Sequence, residues 1–219
     1  MSTSSVPRPT VASTGVPRWP AIVALLVVAV LLALVSNQLT LGPSWVPLAI
    51  VLLLLIPLVL SSRRNLHGRR RALGMVALTT VTIAVAASAF FLVQQLLFGS
   101  IEPTTLFTGA GAIWVANLLT FAVWYWEIDG GGPAMRRRDG HVSSDFLFPQ
   151  LQVGDGTSSH GWWPTFIDYL FVAFNASSAF SPTDTLILSR RAKVLMMVQA
   201  LIAIVTVVVL AARAINTLR

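Results

Sequence analysis

The feature that most constrains this chain is the length of its apolar runs. Four of them approach or exceed the roughly 18 to 20 residues that carry a helix across a bilayer. Hydrocarbon offers no partner to a bare backbone amide or carbonyl, so a run of this kind can only settle as helix. The runs predict helices over Trp19–Leu39, Val46–Leu60, Ala72–Phe98 and Gly109–Trp126, followed by a C-terminal helical pair within residues 164–219. Pro57 is expected to kink the second segment, and Gly42-Pro43 to turn the chain into it. The fold class that follows is all-α: a polytopic helical membrane protein with about six transmembrane helices, or five plus a re-entrant segment.

Charge supports that class. Only 11% of the 219 residues are charged, against roughly 25% in soluble domains. The net charge of +7 does not point to nucleic acid, because its carriers cluster between the apolar runs, at Arg63, Arg64, Arg69 to Arg71 and Arg136 to Arg138. That is the pattern of cytoplasmic loops and anionic lipid contact, and no nucleic-acid-binding motif accompanies it. The chain has no cysteine, which excludes disulfides, thiolate nucleophiles and cysteine-ligated metals. Arginine supplies fourteen of the fifteen basic residues, a composition that hints at a GC-rich bacterial genome.

The organisation expected is a disordered cytoplasmic tail over 1–18, a four-helix region over 19–126, a cytoplasmic loop over 127–163 and the C-terminal pair. The tail is rich in Ser, Thr and Pro. The loop opens with EIDGGGP and carries an aromatic patch at Phe146 and Phe148 that is expected to fold back onto the membrane or the helix ends. Trp124-Tyr125-Trp126 reads as an interfacial anchor, and the small residues Thr79, Thr80, Ala84, Ala86, Ala87 and Ser88 as a close-packing face.

The C-terminal pair concentrates polar groups. Asp168 and Asn175 lie seven apart on its first segment, and Gln199, Thr206 and Arg213 lie seven apart in succession on its second. Seven residues is about two helical turns, so each set falls along one face. Such groups are costly in lipid, so the two stripes predict an internal polar seam facing other helices or water. Asp168 and Asp184 have a second explanation. Thr165 with Asp168, and Ser181 with Asp184, have the Ser/Thr-x-x-acid form of a helix start, each beside a proline.

With the N-terminus inside and six spans, twelve of the fifteen basic residues fall inside, and Arg190, Arg191 and Lys193 fall outside. If the segment from Trp163 to Phe180 dips in and returns, Arg213 and Arg219 fall outside instead, leaving thirteen inside. The two counts are too close to separate the arrangements.

The stretch DYLFVAFNASSAFSPTDT, with SRRAKVLMMVQALIAIVTVVVLAARAIN after it and WVANLLTFAVWYWEIDGGGP and DFLFPQ before it, resembles a family of uncharacterised bacterial integral membrane proteins. The resemblance covers Trp114 to Asn216 and implies no established activity. The same tail is similar to the pore loop and inner helix of potassium-channel-like proteins. It departs from them at Ala179 to Asp184, which lacks the glycines of a potassium filter, so potassium selectivity is not implied.

Chemistry-bearing motifs are absent from the sequence. His67, His141 and His160 all lie in expected loops without metal-ligand spacing. Glu127, Asp129, Asp139, His141 and Asp145 are acids and a histidine of one loop, ordinarily solvated, so no metal is expected there. The expectation is a non-enzymatic membrane protein without a cofactor, embedded in the lipid bilayer. Its seam supports ion or small-solute movement, as a homo-oligomer. The alternative is a non-transporting scaffold or regulatory subunit.

Overall fold

The computed structural model describes residues 19–35, 37–40, 43, 45–46, 49–50, 52–53, 67–136, 144–152, 162–178 and 184–217. The expected tail over 1–18 and most of the expected helix over Val46–Leu60 lie outside the described residues. What is described is mostly helical: α1 (Trp19–Leu34), α2 (His67–Phe98), α3 (Pro103–Ile128), α4 (Phe166–Ser178) and α5 (Arg190–Thr217). Two strands of two residues each, β1 (Phe146–Leu147) and β2 (Leu186–Ile187), pair antiparallel, with Phe146 opposite Ile187 and Leu147 opposite Leu186. Among the described residues, three stretches are long and apolar enough to cross a membrane: Arg71–Phe98, Pro103–Gly131 and Arg190–Arg213.

The centre of the bundle is α3, which packs against each of the other four long helices. Its side chains are buried nearly all round in its second half, from Ala116 to Ile128. A helix that is apolar on every side has no preferred outward face, so it belongs in the middle. Against it, α1 lays a stripe of Ala21, Ala24, Leu25, Val28, Ala29 and Leu32, spaced by threes and fours as a single helical face requires. The helix stops at Leu34, short of the Leu39 expected. Asn37–Leu39 instead form a turn of 3₁₀ helix that drives Leu39 into the core. Gly109 receives it: a Cβ there would sit 2.7 Å from Leu39 Cδ1, so a larger residue would require the Leu39 side chain to shift.

Two boundaries move outward. α2 begins at His67, inside the basic link, and the ten residues between the third and fourth expected segments shrink to Gly99–Glu102. Pro103 sits at the start of α3, where its missing N–H costs nothing. The buried face of α2 is Ala77, Leu78, Val81, Val85, Ser88, Ala89 and Leu92. Of the small residues expected to form its packing face only Ser88 is fully buried, because the larger aliphatics fill the contact.

The course of α4 bears on the two arrangements expected. It has 13 residues, about 20 Å of helix, well short of the roughly 30 Å of a hydrocarbon core. Before it, Trp162 stacks on Phe148, just past β1, with ring centroids 5.7 Å apart. After it, the chain is back at β2, bonded to β1. Both flanks of α4 are therefore held at the same end of the bundle, and the segment enters and returns. The β1–β2 pairing and the bond of Arg191 to Asp145 put the start of α5 at the end of the bundle where α4 begins, which is what the arrangement with a re-entrant segment expects.

Candidate functional site

Two polar clusters lie where α3, α4 and α5 meet. The first closes the carboxyl end of α3. A helix ends with carbonyls that have no intrahelical partner and with partial negative charge, and both invite cations. Arg136 Nη1 donates to the carbonyls of Trp126 (2.7 Å) and Asp129 (3.0 Å), and Arg191 Nη2 to that of Ile128 (3.2 Å). Reaching them requires the chain to reverse at once. Gly130, Gly131 and Gly132 do so with φ of 55°, 81° and 100°, a run of left-handed backbone that residues with a Cβ adopt only under strain.

The carboxylates complete this clasp. Asp129 Oδ1 accepts from the backbone amides of Asp145 (2.7 Å) and Phe146 (3.3 Å), and its Oδ2 from the Tyr169 hydroxyl (2.5 Å). Arg136 stands 3.8 Å from Asp129 Oδ2, with its guanidinium over the rings of Trp126 and Tyr169. Asp145 takes a two-pronged bond from Arg191, Nε to Oδ1 at 2.7 Å and Nη2 to Oδ2 at 2.6 Å, and a third from the Gly130 amide. Burial pushes the Asp145 carboxyl up, but bonds from Arg191 and Ser189 and the charge of Arg191 outweigh it. The group is held below the usual carboxylate range. Phe146, Phe148, Tyr169 and Trp126 pack edge to face around these groups and exclude water.

The second cluster lies deeper and carries no formal charge. Gln199, fully buried on α5, donates its amide to the Ala173 carbonyl (2.8 Å) and Ser177 Oγ (2.7 Å) of α4. Its Oε1 accepts from the Tyr125 hydroxyl on α3, and its backbone carbonyl accepts from Asn117 Nδ2 at 3.2 Å. One side chain thus joins three helices. Trp114 Nε1 adds a long bond to the Ser177 carbonyl near the inner end of α4.

The five seam residues divide between these surroundings. Gln199 and Thr206 are fully buried, Thr206 with its hydroxyl bonded back to the Ile202 carbonyl. Arg213 is half-buried, toward the other end of α5 from Arg191. Asp168 and Asn175 do not join them. The buried face of α4 is Tyr169, Val172, Ala173 and Ser177, and Asp168 and Asn175 lie about 100–120° round the helix from Tyr169. Asp168 Oδ2 accepts from the Thr165 amide (2.6 Å) and hydroxyl (2.8 Å), the carboxylate half of a capping box, while the Asp168 amide bonds the Thr165 carbonyl (3.2 Å). Asn175 Nδ2 bonds back to the Phe171 carbonyl. The stripe on α4 therefore edges the exposed surface, while the stripe on α5 faces inward at Gln199 and Thr206.

Asp184 does not begin a helix. It is exposed, six residues before Arg190, and the cap of α5 is Ser189, whose Oγ accepts from the Ala192 amide at 3.2 Å. Ser181 lies outside the described residues. Trp124-Tyr125-Trp126 is not a headgroup anchor, since Tyr125 and Trp126 are buried by α4 and α5, and Trp124 donates to Thr82 Oγ1 on α2. Of the loop acids, Asp129 and Asp145 are brought together, by arginines and backbone amides. Asp139 and His141 lie outside the described residues. Among the described residues, no group of three or more acids, histidines or cysteines could hold a metal ion.

Sequence reasoning missed Tyr125, Tyr169, Ser177, Asp145 and Arg191 as bonding partners. The only signal for them was polar or aromatic residues beside apolar runs, which reads equally as an interface. Compared with protein-family models, curated proteins and solved structures, the chain matches none.

Proposed function

We propose that the chain is a channel-like membrane protein in which the re-entrant helix α4 serves the movement of an ion or small solute. The observation that carries this reading is the course of α4, which enters the bundle for about 20 Å and leaves from the end where it began. Broken helices of this kind commonly place a site near the middle of the bilayer, with carbonyls at a helix end available to a cation. The similarity of the tail to channel pore regions fits the same order of elements, a helix, a half-helix and a long inner helix. By the distribution of basic residues, the end carrying the clasp is the cytoplasmic one.

The experiment is ion flux into proteoliposomes with a broad cation and anion panel, comparing the wild type with Asn175→Ala, a substitution at the edge of α4 away from the clasp and from Gln199. Selective flux that changes with Asn175→Ala supports a pathway beside α4. Absence of flux for every ion and solute overturns it. Single cysteines placed at Ser144, Asp184 and Glu102 test the arrangement independently. The first two are expected to label from one side and the third from the other.

The second reading, a scaffold or regulatory subunit that transports nothing, is favoured by the Gln199 cluster. The side-chain amide of Gln199 is fully bonded by protein, so this residue joins helices without need of a solute, although Asn117 Oδ1 beside it is a buried acceptor with no hydrogen-bond partner. Under that reading, Gln199→Leu lowers stability and leaves no transport phenotype to find.

A further inference from the structure

The inner cluster holds one side-chain atom that the protein leaves unbonded. Asn117 is fully buried on α3, and no donor of the protein reaches its Oδ1. The orientation of the amide is fixed by its neighbour: the Gln199 backbone carbonyl can only accept, so it takes Asn117 Nδ2 and leaves Oδ1 as the other end. The nearby donors are committed elsewhere, Tyr125 to Gln199 Oε1, the Gln199 side-chain amide to Ala173 and Ser177, and the Thr120 hydroxyl to the Ala116 carbonyl. Asn117 is also the midpoint of the span Pro103–Gly131, where hydrocarbon offers no donor in their place.

Ser177, in the last turn of α4, has bonding capacity to spare at the same place. Gln199 joins the two residues, through its backbone carbonyl to Asn117 and through its side chain to Ser177. The Ser177 hydroxyl accepts from Gln199 Nε2 and so keeps its own proton to give. Its carbonyl is among the last four of α4, which have no partner within the helix, and the bond it takes from Trp114 Nε1 is 3.5 Å long, at the outer limit for a hydrogen bond. Trp114 lies about one turn before Asn117, so the same stretch of α3 faces the end of α4. One turn from Ser177 and from Gln199 stand the buried alanines Ala173 and Ala203, which leave room for a small occupant.

We infer that this joint binds one water molecule, which donates to Asn117 Oδ1 and accepts from the Ser177 hydroxyl, so that the inner end of α4 is tied to α3 through water. Its second proton goes to a carbonyl of the last turn of α4, which gives it the three bonds usual for buried water. The occupant is water and not a cation because the cluster has no formal charge to offset one, and unmatched charge is costly at the middle of the bilayer. Left without a donor at that depth, Oδ1 would be as costly as any unpaired polar group in hydrocarbon. The inference is independent of whether α4 serves transport.

The test is a structure of the full chain, crystallised from lipid, at a resolution that shows ordered water. One peak is expected within hydrogen-bond reach, about 2.5–3.0 Å, of both Asn117 Oδ1 and Ser177 Oγ. A well-ordered Asn117 amide with no peak beside it, or with a protein donor on Oδ1, overturns the inference. Crystals grown in rubidium chloride separate water from a cation, since anomalous scattering at the peak would mean a cation and overturn the assignment. Asn117→Leu is expected to lose the peak while Gln199 keeps its bonds to Ala173 and Ser177, and a peak that persists there overturns the role of Oδ1. Solid-state NMR of the wild type in bilayers gives a second measurement that needs no variant to fold. Proton polarisation is expected to pass from water to the Asn117 side-chain amide, and its failure to do so overturns the inference.

Discussion

The clasp at the end of α3 and the Gln199 cluster inside the bundle do the same work by different chemistry. Both fasten α4 and α5 to α3. The clasp uses two carboxylates and two guanidiniums, and the inner cluster uses amides and hydroxyls only. The difference follows depth. Near headgroups, an ion pair can keep one partner wet, as Arg191 does with just over half its side chain exposed against 4% for Asp145. In the middle of the bilayer, charge is far more costly, while a neutral amide needs only its hydrogen bonds. The contrast teaches that polarity in this chain is graded, strong at the end and mild within.

That contrast can be broken most forcefully at Asp129. Its carboxylate is 2% exposed and meets two backbone amides, a tyrosine hydroxyl and Arg136. Asp129→Ala leaves Arg136 buried without its counter-charge and is expected to cost about 3–5 kcal/mol, read as denaturant-induced unfolding in mixed micelles. A loss no larger than that of a Gln199 variant would erase the proposed grading.

Acid should act on the clasp alone. Because the folded carboxyl of Asp145 titrates below its unfolded value, its contribution is complete above the ordinary carboxylate pKa of about 4. It is lost as pH falls through the lower, folded value. Thermal unfolding in detergent across pH 2 to 6 is expected to show this loss, flattened in Asp145→Asn. Gln199→Leu should leave the slope as in the wild type.

At the inner cluster, Gln199→Leu removes the side-chain bonds to Tyr125, Ala173 and Ser177 together. Hydrogen bonds between membrane helices average about 0.6 kcal/mol, so the expected loss is roughly 1–3 kcal/mol, measured by the same unfolding assay. Tyr125→Phe should recover a part of that loss and no more. The smallest effect belongs to Asp168. As a capping residue it should lose about 0.5–2 kcal/mol on change to Ala and very little on change to Ser. An effect of Asp168→Ser on flux rather than on stability would return the residue to a role as an entrance charge.

The helices were legible because apolar runs of membrane length admit one secondary structure. Their arrangement was legible only in part. On α5, the seven-residue spacing found an inward face at Gln199 and Thr206, since the rest of that helix is almost uniformly aliphatic. On α4, the same spacing picked out Asp168 and Asn175, but aromatic and small residues, not polar ones, decided which side was buried. The capping pattern Thr165-x-x-Asp168 was the better guide there, as its bonds are local and need no tertiary contact. The identical pattern at Asp184 misled, because β2 intervenes before the helix. The clasp was out of reach for a different reason. Arg136, Asp145 and Arg191 meet through a reversal of the backbone and a pairing of two-residue strands, and neither leaves a periodic trace.

The bond from Arg191 to the Ile128 carbonyl spans 63 positions of sequence. Its meaning changes when the chain is considered as it is made. α3 is synthesised and inserted long before the residue that completes its end, and Asp145, the other anchor of Arg191, waits 46 positions for the same partner. Until β2 and then Arg191 emerge, the half-helix between them has one flank fastened and one loose, so the order of birth makes β2 and the start of α5 the elements that commit α4 to turn back.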